Sequence, residues 1–254
     1  MRRSNRQRRG YLIRIGIDSK YGKWNAPMDP VTNEFVYVPI PENEKFSIRK
    51  GMRIEFNTFS KDLNRFRRKL KDVSHLYFEL PEELKNKHAH LDPDFRYLTY
   101  GDNGRRRGAG VSTLEKGDFV VFYSALKPVK QCGHKLVYAL IGILVIENIV
   151  KAVEYAEENY NKNAHTRKEE IGEADIIVTG QKNVSGRFEK CIPIGEWRDG
   201  AYRVRKDLLD EWGGLSVKDG YIQRSAVPPE FCSAEEFSKW FNKKKLRLHY
   251  ENSI

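Results

Sequence analysis

The feature that most constrains the fold is a pair of apolar segments in the middle of the chain. Residues 116–126 are KGDFVVFYSAL and residues 136–150 are LVYALIGILVIENIV, both rich in Val, Ile, Tyr and Phe. Such residues are enriched in β-strands. The second segment contains Glu147 and Asn148 and is too short to span a bilayer. We therefore predict that the two segments form the central strands of a sheet.

Shorter segments of both kinds flank this pair. Composition and turn residues predict further strands over residues 11–19, 35–41, 174–180, 187–195 and 220–229. Apolar residues at helical spacing predict helices over residues 61–73, 150–160 and 233–241. The last helix begins with Ser233 and Glu236, the pattern of a capping box, and places Phe237, Trp240 and Phe241 on one face. We expect this helix to dock on the domain.

The mixed order of strands and helices predicts an α+β fold with a mixed, mainly antiparallel sheet and flanking helices. No internal repeat and no linker rich in Pro, Gly or Ser divides the chain. We predict one domain over residues 11–254, preceded by a basic flexible arm at residues 1–10. Residues 151–254 form its C-terminal elaboration.

The charge balance indicates the class of partner. Lys and Arg total 46 against 35 Asp and Glu, which gives a formal net charge of +11. An excess of positive charge favours a polyanion such as DNA or RNA. The candidate contacts lie in the helix at 61–73, a Gly-rich loop at 101–110 and the C-terminal tail; they are Arg65, Arg68, Lys69, Arg105, Arg106, Arg107, Lys243, Lys244 and Lys245. Solvated, partner-free surfaces are the alternative for the helix and the loop.

Several classes of protein are not expected. The glycines at 104, 108 and 110 lack the spacing and the lysine of a phosphate-binding loop. The three cysteines are far apart, which disfavours a disulfide framework or a zinc ribbon. The N-terminus, MRRSNRQRRG, has no apolar region of a secretory signal. We expect a cytoplasmic protein without membrane contact, and no cofactor is identified.

Residues 88–102, HAHLDPDFRYLTYGD, carry the densest candidate chemistry. In an extended segment His88, His90 and Asp92 share one face, because alternate side chains of a strand point the same way. Such groups can bind a metal, transfer protons or contact a substrate. Asp92-Pro93-Asp94 is equally typical of a structural turn. These residues alone leave the alternatives open.

Five blocks occur in a defined order: RIGIDSKYG, NAPMDPVTNEFVYVPIPE, HLDPDFRYLTYG, LEKGDFVVFYSAL and YALIGILVI. Together they resemble the nucleotide modification associated domain family, third type. Weaker similarity continues around His165 and around Arg224-Ser225. The resemblance implies association with systems that make or hypermodify bases in DNA.

The resemblance also selects site residues. It includes His90 and excludes His88, which weakens a metal site built on that pair, and we assign no metal ligand. Asp102 stands where the family tends to have glutamine. The catalytic candidates are Asp18, His90, Asp92, Asp94 and His165. The substrate-binding candidates are Arg14, Ser19, Trp24, Tyr100, Asp118, Tyr123, Arg224 and Ser225.

Two alternatives to a DNA-modifying or nucleotide-modifying protein stay open. Residues 114–150 are also similar to the strand pair of PUA-like readers of modified bases, which implies a partly closed barrel and no catalysis. A reader needs aromatic walls around a flipped base, and Trp24, Tyr100 and Tyr123 are the candidates. The second alternative is an enzyme that modifies RNA, such as tRNA, since positive charge does not distinguish the two polymers.

Overall fold

A computed structural model describes residues 6–19, 23–70, 73–105, 108–224 and 227–253. The strands are Gly10–Arg14 (β1), Pro27–Met28 (β2), Ile40–Pro41 (β3), Ala89–His90 (β4), Thr99–Asp102 (β5), Phe119–Pro128 (β6), Val137–Lys151 (β7), Ile176–Gly180 (β8), Gly186–Pro193 (β9), Gly195–Arg198 (β10), Ala201–Val204 (β11) and Leu248–His249 (β12). The α-helices are Ser60–Lys69 (α1), Glu82–Lys85 (α2), Ala152–Asn159 (α3), Lys206–Glu211 (α4) and Ala234–Lys243 (α5).

The two longest strands, β6 and β7, form an antiparallel pair at the centre of an eight-stranded sheet. The main path of the sheet is β1-β6-β7-β8-β5. Strand β1 runs parallel to β6, whereas β8 and β9 run antiparallel to β7. The predicted central strands and the mainly antiparallel α+β architecture are thus confirmed. The described strands do not close into a ring, so the partly closed barrel is not confirmed.

Strand β7 serves different partners along its length. It pairs with β9 between Ala139 and Ile143, and with β8 between Ile146 and Lys151. The register shifts between Ile146 and Asn148, and an extra residue of this kind bends and twists a strand. Because of this change of partner, β7 connects the region around β9 with the edge formed by β8 and β5.

Alternate residues of β6 enter two separate cores, because successive side chains of a strand point to opposite faces. Val120 and Phe122 lie in the core that contains α1. Phe119, Val121 and Tyr123 lie in the core that contains α5. All five side chains are fully buried. We call these the α1-side core and the α5-side core.

The predicted helices form with small differences at their ends. Helix α1 stops at Lys69, since Leu70 is extended with φ −104° and ψ 134°. At the start of α5, the Ser233 hydroxyl accepts a hydrogen bond of 3.3 Å from the backbone N–H of Glu236, and the helix docks as predicted. Within the described part of the chain, no helix has both the length and the apolar character needed to cross a bilayer.

Two predicted strands are wrong in whole or in part. In the segment 35–41 only Ile40–Pro41 is a strand. Residues 35–38 are buried, but they bond to irregular segments, as where the Val36 N–H donates to the Pro27 carbonyl. None of the described residues in 220–229 belongs to a strand. Prolines interrupt both segments, and proline cannot donate to a ladder.

The described part of the N-terminal arm contacts the domain. Arg6 pairs with Asp118 at 2.9 Å, and Arg9 pairs with Glu230 at 2.6 Å. The Arg8 guanidinium donates to the Gly117 carbonyl at 2.7 Å. These arginines therefore use their charge within the chain.

Truncation of the α5 anchor tests the α5-side core. Phe237 is 1% exposed and its ring lies 4.2 Å from that of Phe231 and 5.3 Å from that of Phe119. We expect Phe237→Ala to lower the free energy of unfolding by about 3–5 kcal/mol, because it leaves a cavity. Urea unfolding followed by circular dichroism measures it. The matched control Phe46→Ala, at a side chain 45% exposed, should cost about 1 kcal/mol or less.

Candidate functional site

Three of the predicted site residues converge: His90, Asp92 and His165, here called the histidine–aspartate cluster. Each offers one possible donor atom, and the three atoms lie within 4.8 Å of one another. The two histidine rings meet edge to face with their centroids 5.2 Å apart. His165 Nε2 is 4.0 Å from Asp92 Oδ2. The side chains of His90, Asp92 and His165 are 14%, 6% and 12% exposed, so the cluster is nearly buried.

Asp92 is oriented by two neighbouring segments. Its Oδ1 accepts hydrogen bonds of 2.8 Å from the Gly101 backbone N–H on β5 and from the Asn163 side chain. Its Oδ2 is the oxygen that faces His165. Position 101 has no room for a side chain, because a Cβ there would lie 2.3 Å from His165 Cδ2. The edge strand β5 therefore carries the backbone donor that fixes the aspartate.

Each histidine of the cluster has a carboxylate behind it. His90 Nδ1 lies 2.9 Å from Glu42 Oε2, and His165 Nδ1 lies 2.9 Å from Asp175 Oδ2. Asp175 also accepts from the Lys168 ammonium at 3.3 Å. An ionised carboxylate only accepts hydrogen bonds. Nδ1 of each ring is therefore the protonated nitrogen, and this orients each Nε2.

The environment separates the carboxyl groups by their pKa. Burial raises the pKa of Asp92 more than the positive charges of His165 and His90 and two hydrogen bonds lower it. Burial acts in the same direction on Glu42 and Asp175, but the hydrogen bond and charge of the paired histidine, with Lys168 also contributing, outweigh it and lower the pKa of both. The cluster thus combines one carboxyl that is easier to protonate with two that stay ionised.

The structure does not bring Asp94 into the cluster. Its Oδ2 accepts from Arg167 at 2.8 Å and its Oδ1 accepts from the Asn252 side chain at 2.8 Å. Arg167 also donates to the Asn161 carbonyl, which closes the turn that carries His165. Asp94 therefore ties that turn and the C-terminal segment to the segment after β4.

Arg14 and Asp18 lie at a second location. They form an ion pair of 2.9 Å, and the Arg14 guanidinium lies 5.3 Å from the centre of the Tyr138 ring, in the α5-side core. Arg14 also donates to the Gln223 carbonyl. The next residue, Arg224, is exposed, as is Ser19. The described contacts of Asp18 are with this group and not with the histidines.

The other substrate-binding candidates are dispersed. The Tyr123 hydroxyl donates to the Ile222 carbonyl at 2.8 Å in the α5-side core. Tyr100 is in the α1-side core, where its hydroxyl donates to Asp102 at 2.9 Å, and Trp24 packs against that same core. These three aromatic residues therefore do not form one cage. Asp118 accepts from the backbone N–H groups of Arg9 and Glu115.

The nucleic-acid candidates that the structure describes are all exposed. They are Arg65, Arg68, Lys69, Arg105, Lys243, Lys244 and Lys245. Lys69 pairs with Glu34 at 3.2 Å, and the Lys244 ammonium lies 5.0 Å from the centre of the Trp240 ring. Arg106, Arg107 and Ser225 lie outside the described residues.

Sequence reasoning missed the groups that support the cluster. Glu42 ends the second family block, Asn163 lies two residues before His165, and Asp175 directly precedes β8. Their types are suited to hydrogen bonding, but nothing in their spacing indicates that they meet His90 and Asp92. Proximity to matched residues is the one signal that could have identified Glu42 and Asn163.

Substitution of the glycine beside His165 tests the packing of the cluster. We expect Gly101→Ala to destabilise the protein by about 1–3 kcal/mol, because the new methyl group overlaps the His165 ring. Urea unfolding measures the change. A double-mutant cycle with His165→Ala is the control, because removal of the ring should reduce the cost of the alanine. An equal cost in both backgrounds would contradict the described contact.

Comparison with known proteins gives one match. Residues 9–224 match the model of a protein family described as nucleotide modification associated domain 3. Comparisons with curated proteins and with solved structures give no match. The match covers both Arg14 with Asp18 and the whole histidine–aspartate cluster, and it extends over most of the 254 residues. The chain therefore belongs to the nucleotide modification associated domain 3 family.

Proposed function

We propose that this protein modifies bases in DNA, or the nucleotide precursors of those bases, at the histidine–aspartate cluster. The observation that carries the proposal is the convergence of His90, Asp92 and His165, which come from separate parts of the family-matched span. A purely structural turn at 92–94 would not require a second histidine from a distant segment.

The cluster has the parts that proton transfer requires. A histidine whose Nδ1 bonds to a carboxylate keeps its Nε2 oriented toward a reacting group. His165 has this arrangement with Asp175, and His90 has it with Glu42. Asp92, whose pKa burial raises, supplies a carboxyl group that can hold or release a proton beside them. These groups can abstract a proton from a base or a nucleophile and return one to a leaving group.

The basic surface supports a polyanionic substrate. Exposed lysines and arginines bind the phosphate backbone without regard to sequence. In the proposal this role belongs to Arg65 and Arg68 on α1, to the loop containing Arg105, and to Lys243–Lys245 after α5. Arg14 and Arg224 are the candidates for a more specific phosphate or carboxylate contact.

Base composition of cellular DNA tests the proposed function. His90→Ala and Asp92→Asn should reduce the modified-base content made with the neighbouring modification genes to background, because positioned acid–base groups contribute about 10²–10⁴-fold. Mass spectrometry of digested nucleosides measures it. The matched control is His134→Ala, an exposed histidine, which should behave as the wild type. Unchanged base composition in folded His90 and Asp92 variants would refute the catalytic assignment.

A specific observation also favours a non-catalytic reader. Trp197 is 57% exposed and its ring lies 5.0 Å from that of Tyr202, which stacks on Tyr138 at 4.4 Å. Arg14 lies over the other ring of this stack, Tyr138. An exposed tryptophan backed by stacked aromatic rings and an arginine is suited to stacking on a base.

Oligonucleotide binding separates the reader from the enzyme. A reader binds modified oligonucleotides more tightly than plain ones without turnover, and Trp197→Ala should weaken that binding about tenfold or more, since base stacking contributes about 1–3 kcal/mol. Fluorescence anisotropy measures the affinity. Tyr160→Ala, at another exposed aromatic residue (44%), is the control. Equal affinity for both oligonucleotides, or no effect of Trp197→Ala, would contradict the reader.

A further inference from the structure

We propose that the histidine–aspartate cluster is a binding site for a divalent transition-metal ion, with His90 Nε2, His165 Nε2 and an oxygen of Asp92 as its ligands. The proposal does not depend on the proposed function, because metal binding can be measured without any nucleotide. Two imidazoles and one carboxylate form a ligand set that suits zinc, iron(II) and manganese.

The distances are compatible with such a site. In a tetrahedral site with bonds of about 2.1 Å, neighbouring donor atoms are about 3.4 Å apart. His165 Nε2 and Asp92 Oδ2 are 4.0 Å apart, and all three donor atoms lie within 4.8 Å of one another. Side-chain rotations of about an ångström therefore bring the three donors to bonding distance, with no change in the backbone.

The second shell of hydrogen bonds is the stronger argument. A histidine that binds a metal through one nitrogen usually donates its other N–H to a carboxylate or carbonyl, which fixes the tautomer and the ring orientation. Both histidines of the cluster have this partner, Glu42 for His90 and Asp175 for His165, each at 2.9 Å. The nitrogen that remains on each ring is Nε2, with a lone pair available for a metal.

Asp92 is prepared in the same manner. Two donors hold its Oδ1, the Gly101 N–H and the Asn163 side chain. Its Oδ2 has no such donor among the described contacts and faces His165. A carboxylate that is oriented through one oxygen and presents the other is suited to monodentate coordination.

The charge around the cluster also favours a cation. Three largely buried carboxylates, Glu42, Asp92 and Asp175, lie around two histidines, and Lys168 is the ammonium group described in contact with one of them. Buried charges are costly unless they are paired. A divalent ion between the three ligands would offset the remaining negative charge. Three protein ligands would leave coordination positions for water or a substrate.

Titration with metal alone tests the site. The purified chain is stripped with chelator and titrated with Mn²⁺, and electron paramagnetic resonance reports the free ion; Zn²⁺ is tested by mass spectrometry of the metal retained after gel filtration. We expect one ion per chain. Loss of a ligand in His90→Ala, Asp92→Asn or His165→Ala should weaken binding by more than about 100-fold. Glu42→Ala and Asp175→Ala should weaken it about 10–100-fold, the effect of losing an outer partner.

His88→Ala is the matched control, since His88 lies two residues from His90 but outside the cluster. It should bind Mn²⁺ as the wild type does. Binding that is absent in the wild type, or that survives in folded His90 and His165 variants, would overturn the proposal. So would an equal loss in His88→Ala.

A measurement on the wild-type chain covers the case in which a ligand variant does not fold. Mn²⁺ should broaden the imidazole proton signals of His90 and His165 before those of His134 and His249, because relaxation depends on distance to the ion. Uniform broadening of all six histidines would contradict the site. If Mn²⁺ binds as expected but the cluster variants leave DNA composition unchanged, the proposed function fails and the metal site stands.

Discussion

The antiparallel pairing of β6 with β7 is the interaction on which the rest of the structure depends. Both strands are apolar on both faces, so each face of the pair must be covered, and the chain provides a separate core for each. Helix α1 and the segments around it cover one face, and α4 with α5 covers the other. The two family-matched polar groups, Arg14 with Asp18 and the histidine–aspartate cluster, are positioned by elements attached to this pair.

The cluster is positioned through the far end of β7. There β7 pairs with β8, and β8 pairs with β5, whose Gly101 supplies the N–H that holds Asp92. Asp175 immediately precedes β8, so the start of this strand sets its distance to His165. The short strand β4, paired with β3, presents His90 near Glu42. Sheet register therefore determines which side chains meet.

The electrostatic design of the cluster is concentrated in buried carboxyl groups. Glu42 and Asp175 each stabilise a histidine, whereas Asp92 is oriented by neutral donors and faces the two rings. Asp94 takes no part in this arrangement and instead anchors Arg167 and Asn252. Neighbouring aspartates of one motif thus do different work, one at the cluster and one in the surrounding framework.

The sequence by itself determined the elements whose signals are local. The β-branched runs gave the central strands, helical spacing gave α1 and α5, and the ordered motifs gave the family and the candidates His90, Asp92 and His165. It did not separate Asp18 and Asp94 from those three, nor did it reveal Glu42, Asn163 and Asp175 as their partners. Irregular backbone around Pro39 and Pro228 also overrode the β-like composition of two predicted strands. Only the tertiary structure decided these points, because contacts between distant segments depend on strand order and register, which residue spacing along the chain does not encode.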